Sequence, residues 1–271
     1  MLRAGRGATI VGALALLLLV YEFLLSGIPY GRTQAALLST FKQQVPTTLL
    51  GAPTTPVVEG TPVALLTIPR IGATDVVVEG STPTDLKAGP GHLRNTPLPG
   101  EYGNSVIEGR RTTYGSPFGQ LGLLRKGDVI NVATGQGAVM YKVTTVGYVK
   151  EGQTDPITST ADSRLTLLTS DPAFVATGRL AVTAALSGKP LAVPTRATVA
   201  AGATDLGLAG DPLGLGIGLI FLNLLCAAAW VAWRVRHRLP NSVIYLFAAP
   251  VMLTLALLAF ASLDTLLPGT M

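Results

Sequence analysis

Leu165-Thr166-Leu167-Leu168-Thr169-Ser170-Asp171-Pro172 is a short apolar run closed by an acidic residue and a proline. Its length, its threonines and its turn-type ending fit a β-strand better than a helix, which needs roughly ten or more residues of 3.6-residue periodicity. The strand ends on Ser170, a small side chain of the size of a nucleophile. Cys226, the single cysteine, lies elsewhere in a membrane-type apolar run and has no intrachain partner for a disulfide.

Further β-branched runs flank it, each bounded by Gly, Pro or Asp: Ala64 to Ile68, Asp75 to Glu79, Ser105 to Glu108, Val129 to Ala133, Val139 to Val149 and Leu180 to Ala185. Short strands at this spacing predict an all-β barrel or sandwich. One short helix is expected from Pro117 to Leu124, with Ser116 as its N-cap and proline at its first position. No solenoid-type repeat is visible.

Outside this region the chain turns strongly apolar, and 48% of its 271 residues are hydrophobic. Three runs approach the roughly 20 residues needed to cross a bilayer, so three transmembrane helices are expected, at 8–28, 213–233 and 243–263. The first is too long for a signal-peptide core, and no convincing small-x-small cleavage site follows it. Arg3 and Arg6 precede it, while Arg234, Arg236 and Arg238 crowd the link between the other two. By the positive-inside rule both segments face the cytoplasm, which puts the region between them outside.

The expected organisation is therefore a cytoplasmic N-terminus at 1–7, the first membrane helix, a Thr/Pro-rich tether at 29–60 and a β-domain at 61–190. An Ala/Gly/Thr-rich exit at 191–212 leads to the second membrane helix. A cytoplasmic basic loop at 234–242, the third helix and an extracellular tail at 264–271 complete the chain. The net charge of +5 matches those five arginines, and charge between Val57 and Pro190 nearly balances. A nucleic-acid partner is therefore not expected, and the arginines are read as facing anionic lipid. No cofactor and no metal site are expected. The expected partners are the membrane and a peptide or cell-surface protein, with the oligomeric state left open.

Three blocks together resemble the sortases, membrane-anchored transpeptidases, and in particular their class E type. The first is Ile68-Pro69-Arg70-Ile71-Gly72 with Val77-Val78-Glu79-Gly80 and Gly89-Pro90-Gly91-His92. The second runs from Leu98-Pro99-Gly100 through Gly103-Asn104-Ser105-Val106-Ile107 to Thr112-Thr113-Tyr114-Gly115 and Pro117-Phe118. The third is Thr166-Leu167-Leu168-Thr169-Ser170, followed by Arg179. The resemblance spans about Val63 to Leu186 and implies an eight-stranded β-barrel with its groove at strand ends. It also implies a cysteine nucleophile at the position of Ser170, a histidine acid and base at the position of Arg110, and an oxyanion-stabilising arginine at Arg179.

Only the last of these is retained, so the centre is read as degenerate. Cysteine attacks as a thiolate, whereas serine needs a neighbouring base. Arg110 cannot serve as one, because a guanidinium stays protonated and only donates. Glu108, two residues before Arg110, admits two readings if strand alternation holds: a base for Ser170, or an ion-pair partner that fills the emptied site beside Arg110. The ion pair is preferred, because a desolvated guanidinium draws a carboxylate, and Asp171 is a candidate to join it. His92 is weighed as a replacement base and set below a plain loop role; Tyr114 and Phe118 are read first as packing residues.

Three functions stay in competition. The leading one is a non-catalytic protein that binds a peptide or partner at the cell surface. The second is a transpeptidase or hydrolase using Ser170. The third is a scaffold acting through its helices, for which Asn223 could bond across a helix interface.

Overall fold

The computed structural model describes residues 21, 26–48, 56–150, 155–173, 177–192, 212–235, 240–263 and 269–270. Two compact units emerge, one holding the apolar C-terminal helices and the other the β-domain with residues 269–270. In the β-domain, β1 (Pro62–Ile68), β2 (Ala73–Glu79), β3 (Gly91–His92), β4 (Asn104–Glu108), β5 (Val129–Thr134), β6 (Gly137–Lys150), β7 (Arg164–Asp171) and β8 (Gly178–Ser187) form a closed barrel. Their order around the barrel is β1-β2-β3-β4-β7-β8-β6-β5. Neighbours are antiparallel except β2 with β3 and β4 with β7. Closure leaves no strand edge exposed for pairing with another chain.

The opening sequence becomes β7, buried along almost its whole length. Leu165 and Leu167 point into the barrel core with Leu66, Ile107, Tyr141 and Val182. Leu168 points the other way, into a second cluster with Leu93, Val106 and Ala181. Burial on both faces explains why the strand reads as continuous rather than alternating. Its threonines do not sit there unsatisfied: Thr166 Oγ1 donates to Asn104 Oδ1 at 2.8 Å, and Thr169 Oγ1 to the Gly109 carbonyl at 2.8 Å. Both bonds stitch β7 to the β4 side, where buried hydroxyls need partners.

Several sequence expectations need correction. The tether expected over 29–60 includes a helix, α1 (Gly27–Thr48). Gln34 docks it, its amide donating to the carbonyls of Val76 at 3.1 Å and Ala88 at 2.8 Å while accepting from the Val76 N–H at 2.7 Å. Tyr30 adds a bond from its hydroxyl to Asp75, and burial holds both groups above their ordinary pKa values. The helix expected over 117–124 shrinks to a single 3-10 turn, Leu121–Leu123, with Gln120 at its N-cap position and no side-chain capping bond. Ser116 takes φ 42°, a left-handed conformation unlike the extended one an N-cap adopts. A further short helix, α2 (Asp85–Ala88), forms on a reciprocal cap: Thr82 N–H and Oγ1 donate to Asp85 Oδ2, and the Asp85 N–H donates to Thr82 Oγ1.

In the other unit, α3 (Pro212–Val235) and α4 (Asn241–Leu263) are the two helices long and apolar enough to cross a membrane among the described residues, rather than the three expected. The span expected over 8–28 lies almost wholly outside the described residues, as do the N-terminal segment 1–7 and most of the exit at 191–212. The two C-terminal helices expose Ile220, Trp230, Leu246 and Phe247 over lengths that match a hydrocarbon core about 30 Å thick, which suggests membrane anchoring. Asn223 bonds within its own helix, Nδ2 to the Leu219 carbonyl at 2.8 Å.

Candidate functional site

The parallel pairing of β4 with β7 sets Glu108 beside Leu168, and the antiparallel pairing of β7 with β8 sets Ser170 opposite Arg179. Three strand ends thus bring Glu108, Ser170 and Arg179 together, and the loop after β4 adds Arg110 and Arg111. Ser170, Glu108 and Arg110 are wholly buried, and Arg179 is 9% exposed.

The charges pair differently from the sequence expectation. Glu108 Oε1 accepts from Arg179 Nη1 at 2.9 Å, so the carboxylate neutralises the arginine of β8 rather than Arg110. The reason is local: β4 ends at Glu108, so strand alternation does not carry on to Arg110. Arg110 turns into the loop wall instead. Its Nη1 donates to Thr113 Oγ1 at 2.7 Å and its Nη2 to the Pro83 carbonyl at 3.3 Å, and its guanidinium stacks 4.7 Å from the Tyr114 ring centre. A planar cation held by two oxygens and an aromatic face is anchored, and it has no lone pair with which to take a proton.

Tyr114 is thus a packing residue with a second task, since its face carries Arg110. It holds φ 48°, and its N–H donates to Ser26 Oγ at 3.0 Å just before α1. A non-glycine residue in that region persists where its surroundings fix it. Phe118 is buried in the barrel core, as expected.

Asp171 joins neither Glu108 nor Arg110. Its Oδ1 accepts from Arg111 Nη1 at 2.6 Å, and the same nitrogen donates to the Ser170 carbonyl at 2.5 Å. Sequence reading passed over Arg111. Its only signal was adjacency to Arg110, and a cross-strand partner cannot be read from adjacency.

His92 is not poised as a replacement base. It is 1% exposed, with Nδ1 2.8 Å from Glu79 Oε2 and Nε2 2.9 Å from the Pro97 carbonyl. Both ring nitrogens face oxygen acceptors, an arrangement that ties β3 to β2 and to the following loop.

Above Arg110 lies the Thr82–Asp85 cap. Burial pushes the Asp85 carboxyl up to about 6 from 3.8; the Thr82 bonds oppose the shift and the negative charge of Glu59 adds to it. The folded state therefore holds this proton where the unfolded chain has released it. The contribution is fully present below pH about 4 and is lost as pH rises through about 6. Unfolding midpoints of the full chain in detergent are expected to fall over that window, and Asp85→Asn to flatten this part of the profile.

Among the described residues no group of three or more His, Cys, Asp or Glu side chains forms a metal-type cluster. The chemistry the site offers is hydrogen bonding: hydroxyl and backbone N–H donors, two carboxylate-paired arginines, Arg179 and Arg111, and one fixed guanidinium, Arg110. It can hold a carbonyl.

Comparison with known proteins agrees with this geometry. Residues 66–187 match the family model described as a sortase domain. Sortase D of Bacillus subtilis is 32% identical over 106 residues, which cover 39% of this chain and 52% of that protein. The chain thus spans about half the length of that curated relative. A Sortase D5 transpeptidase of Clostridium perfringens superposes with a TM-score of 0.50 at 27% identity, over 59% of this chain and 98% of that one. Sortase E of Streptomyces avermitilis gives a TM-score of 0.44 at 31% identity, over 49% of this chain and 93% of that one. By the family-model match, residues 66–187, which carry Glu108, Arg110, Ser170 and Arg179 and hold most of the closed barrel, are a sortase-family domain.

Proposed function

We propose that this chain is a degenerate sortase of the class E type that binds a peptide or cell-surface protein in its groove without cleaving it. The observation that carries the reading is the buried pair Ser170 and Arg110, at the positions where the family resemblance implies cysteine and histidine. A serine hydroxyl needs a base within hydrogen-bond reach. Arg110 only donates, Glu108 is committed to Arg179, and His92 is bonded at both ring nitrogens. The same commitments weigh against a Ser170-dependent hydrolase or transpeptidase, and the Glu108 charge weakens what Arg179 could do for an oxyanion.

The proposal includes multi-pass anchoring in the cell membrane, with the N-terminus and the 234–242 loop cytoplasmic and the barrel outside. The placement of the arginines supports it. The catalytic test compares the full chain in detergent with Ser170→Ala on a sorting-signal-type peptide. Equal turnover is the expected result; a rate that Ser170→Ala abolishes would remove the reading.

A further inference from the structure

The hydroxyl of Ser170 has a partner far along the chain, 100 residues away. Residues 269 and 270 belong to the same compact unit as the barrel, and Thr270 is 1% exposed there. The Thr270 carbonyl accepts from Ser170 Oγ at 2.9 Å and from the backbone N–H of Arg111 at 3.0 Å. The position that would attack a peptide carbonyl in an active relative thus holds one by hydrogen bonds, with a hydroxyl on one side and a main-chain donor on the other. Convergent donors of this kind are how acyl-transfer sites grip a carbonyl oxygen.

The neighbouring residue is selected as well. A Cβ on Gly269 would lie 3.1 Å from Leu86 Cδ1, 3.1 Å from Pro83 Cα and 3.4 Å from Pro83 N. Leu86 can shift its side chain, but the Pro83 main chain belongs to the wall whose carbonyl accepts from Arg110 Nη2. Only glycine sits there without displacing that wall.

We infer that Gly269–Thr270 is a tethered peptide ligand that fills the groove at Ser170, and that the groove's ligand in trans is an extended peptide presenting Gly-Thr at the same place. The inference rests on the peptide-holding function proposed above and names the ligand. A covalently linked occupant competes at an effective concentration on the order of millimolar for a short linker. A free peptide therefore binds in proportion to the fraction of molecules whose segment has left.

The test uses the full chain in detergent micelles with Cys226→Ala, so that Ser170→Cys supplies its single thiol. With the segment in place, a polar maleimide is expected to label that thiol slowly. Removing residues 269–271 is expected to speed labelling about tenfold or more, the factor that follows if the groove is closed at least nine-tenths of the time. Equal rates would overturn the inference. In the second arm, with Ser170 restored, a fluorescent peptide of residues 264–271 is followed by anisotropy. It is expected to bind the shortened chain at least about tenfold more tightly than the full chain. Binding to neither would overturn the ligand assignment. Gly269→Ala preserves chain length and is expected to move both readouts in the same direction by less; no movement in either would count against the fit at Pro83. If labelling accelerates and the shortened chain also cleaves the peptide through Ser170, the tethered ligand stands and the non-catalytic reading falls.

Discussion

Glu108→Ala is expected to destabilise the barrel by about 3–5 kcal/mol, because it strands the Arg179 guanidinium without its carboxylate in a buried site. The two groups lie 2.9 Å apart, with Glu108 wholly buried and Arg179 nearly so. Against a total stability of about 5–15 kcal/mol, a loss of that size is large enough to unfold a substantial fraction of molecules at 37 °C. Adding Arg179→Met is expected to recover much of the loss, since removing both charges of a buried pair is often close to neutral. Urea unfolding of the four members of this cycle measures the coupling. A small loss for Glu108→Ala, additive with Arg179→Met, would show that the pair does not hold the site together.

The second large effect is a gain. Ser170→Cys supplies a side chain with an accessible thiolate, and Arg110→His supplies one that can take and return a proton. Neither is expected to work alone. A thiol beside a fixed guanidinium still lacks a proton carrier for the leaving amine, and an imidazole beside a serine still faces a hydroxyl with no thiolate-like fraction near neutral pH. In a chain lacking residues 269–271, the double variant is expected to transfer peptide on the order of 100-fold or more faster than either single variant. Arg110→His also gives up the bonds to Thr113 and Pro83 and the stacking on Tyr114, so its unfolding curve has to accompany the rate. Additive effects of the two substitutions would argue that the positions never formed one catalytic unit.

Much of the barrel was legible because its strands are β-branched runs closed by Gly, Pro and Asp, and seven of them appear within a residue or three of where those runs lie. β3 was not legible. It is two residues, Gly91–His92, held straight by its neighbours β2 and β4 rather than by any preference of its own. The helix α1 hid for a different reason. Gly27, Pro29 and Gly31 open it and the Thr/Pro-rich stretch follows, so local propensity points to a tether. The Gln34 side chain, bridging 42 and 54 residues along the chain, makes it part of the domain.

At the site, the sequence put Ser170, Arg110, Glu108 and Arg179 on one list, and the fold places them at neighbouring strand ends and in the loop beside them. It misjudged the pairings. Alternation along β4 stops one residue short of where the Glu108–Arg110 pairing needed it, and Asp171 found its partner in Arg111. The occupancy of Ser170 by a carbonyl 100 residues later is a tertiary fact with no local signal.

The claim that this sortase-family domain holds peptide without forming an acyl-enzyme is tested most directly by intact mass. The full chain, and the same chain lacking residues 269–271, are incubated in detergent with a saturating serine-directed acylating probe. The account predicts that both masses stay unchanged at Ser170. A stoichiometric increment mapped to Ser170, abolished by Ser170→Ala, would contradict it.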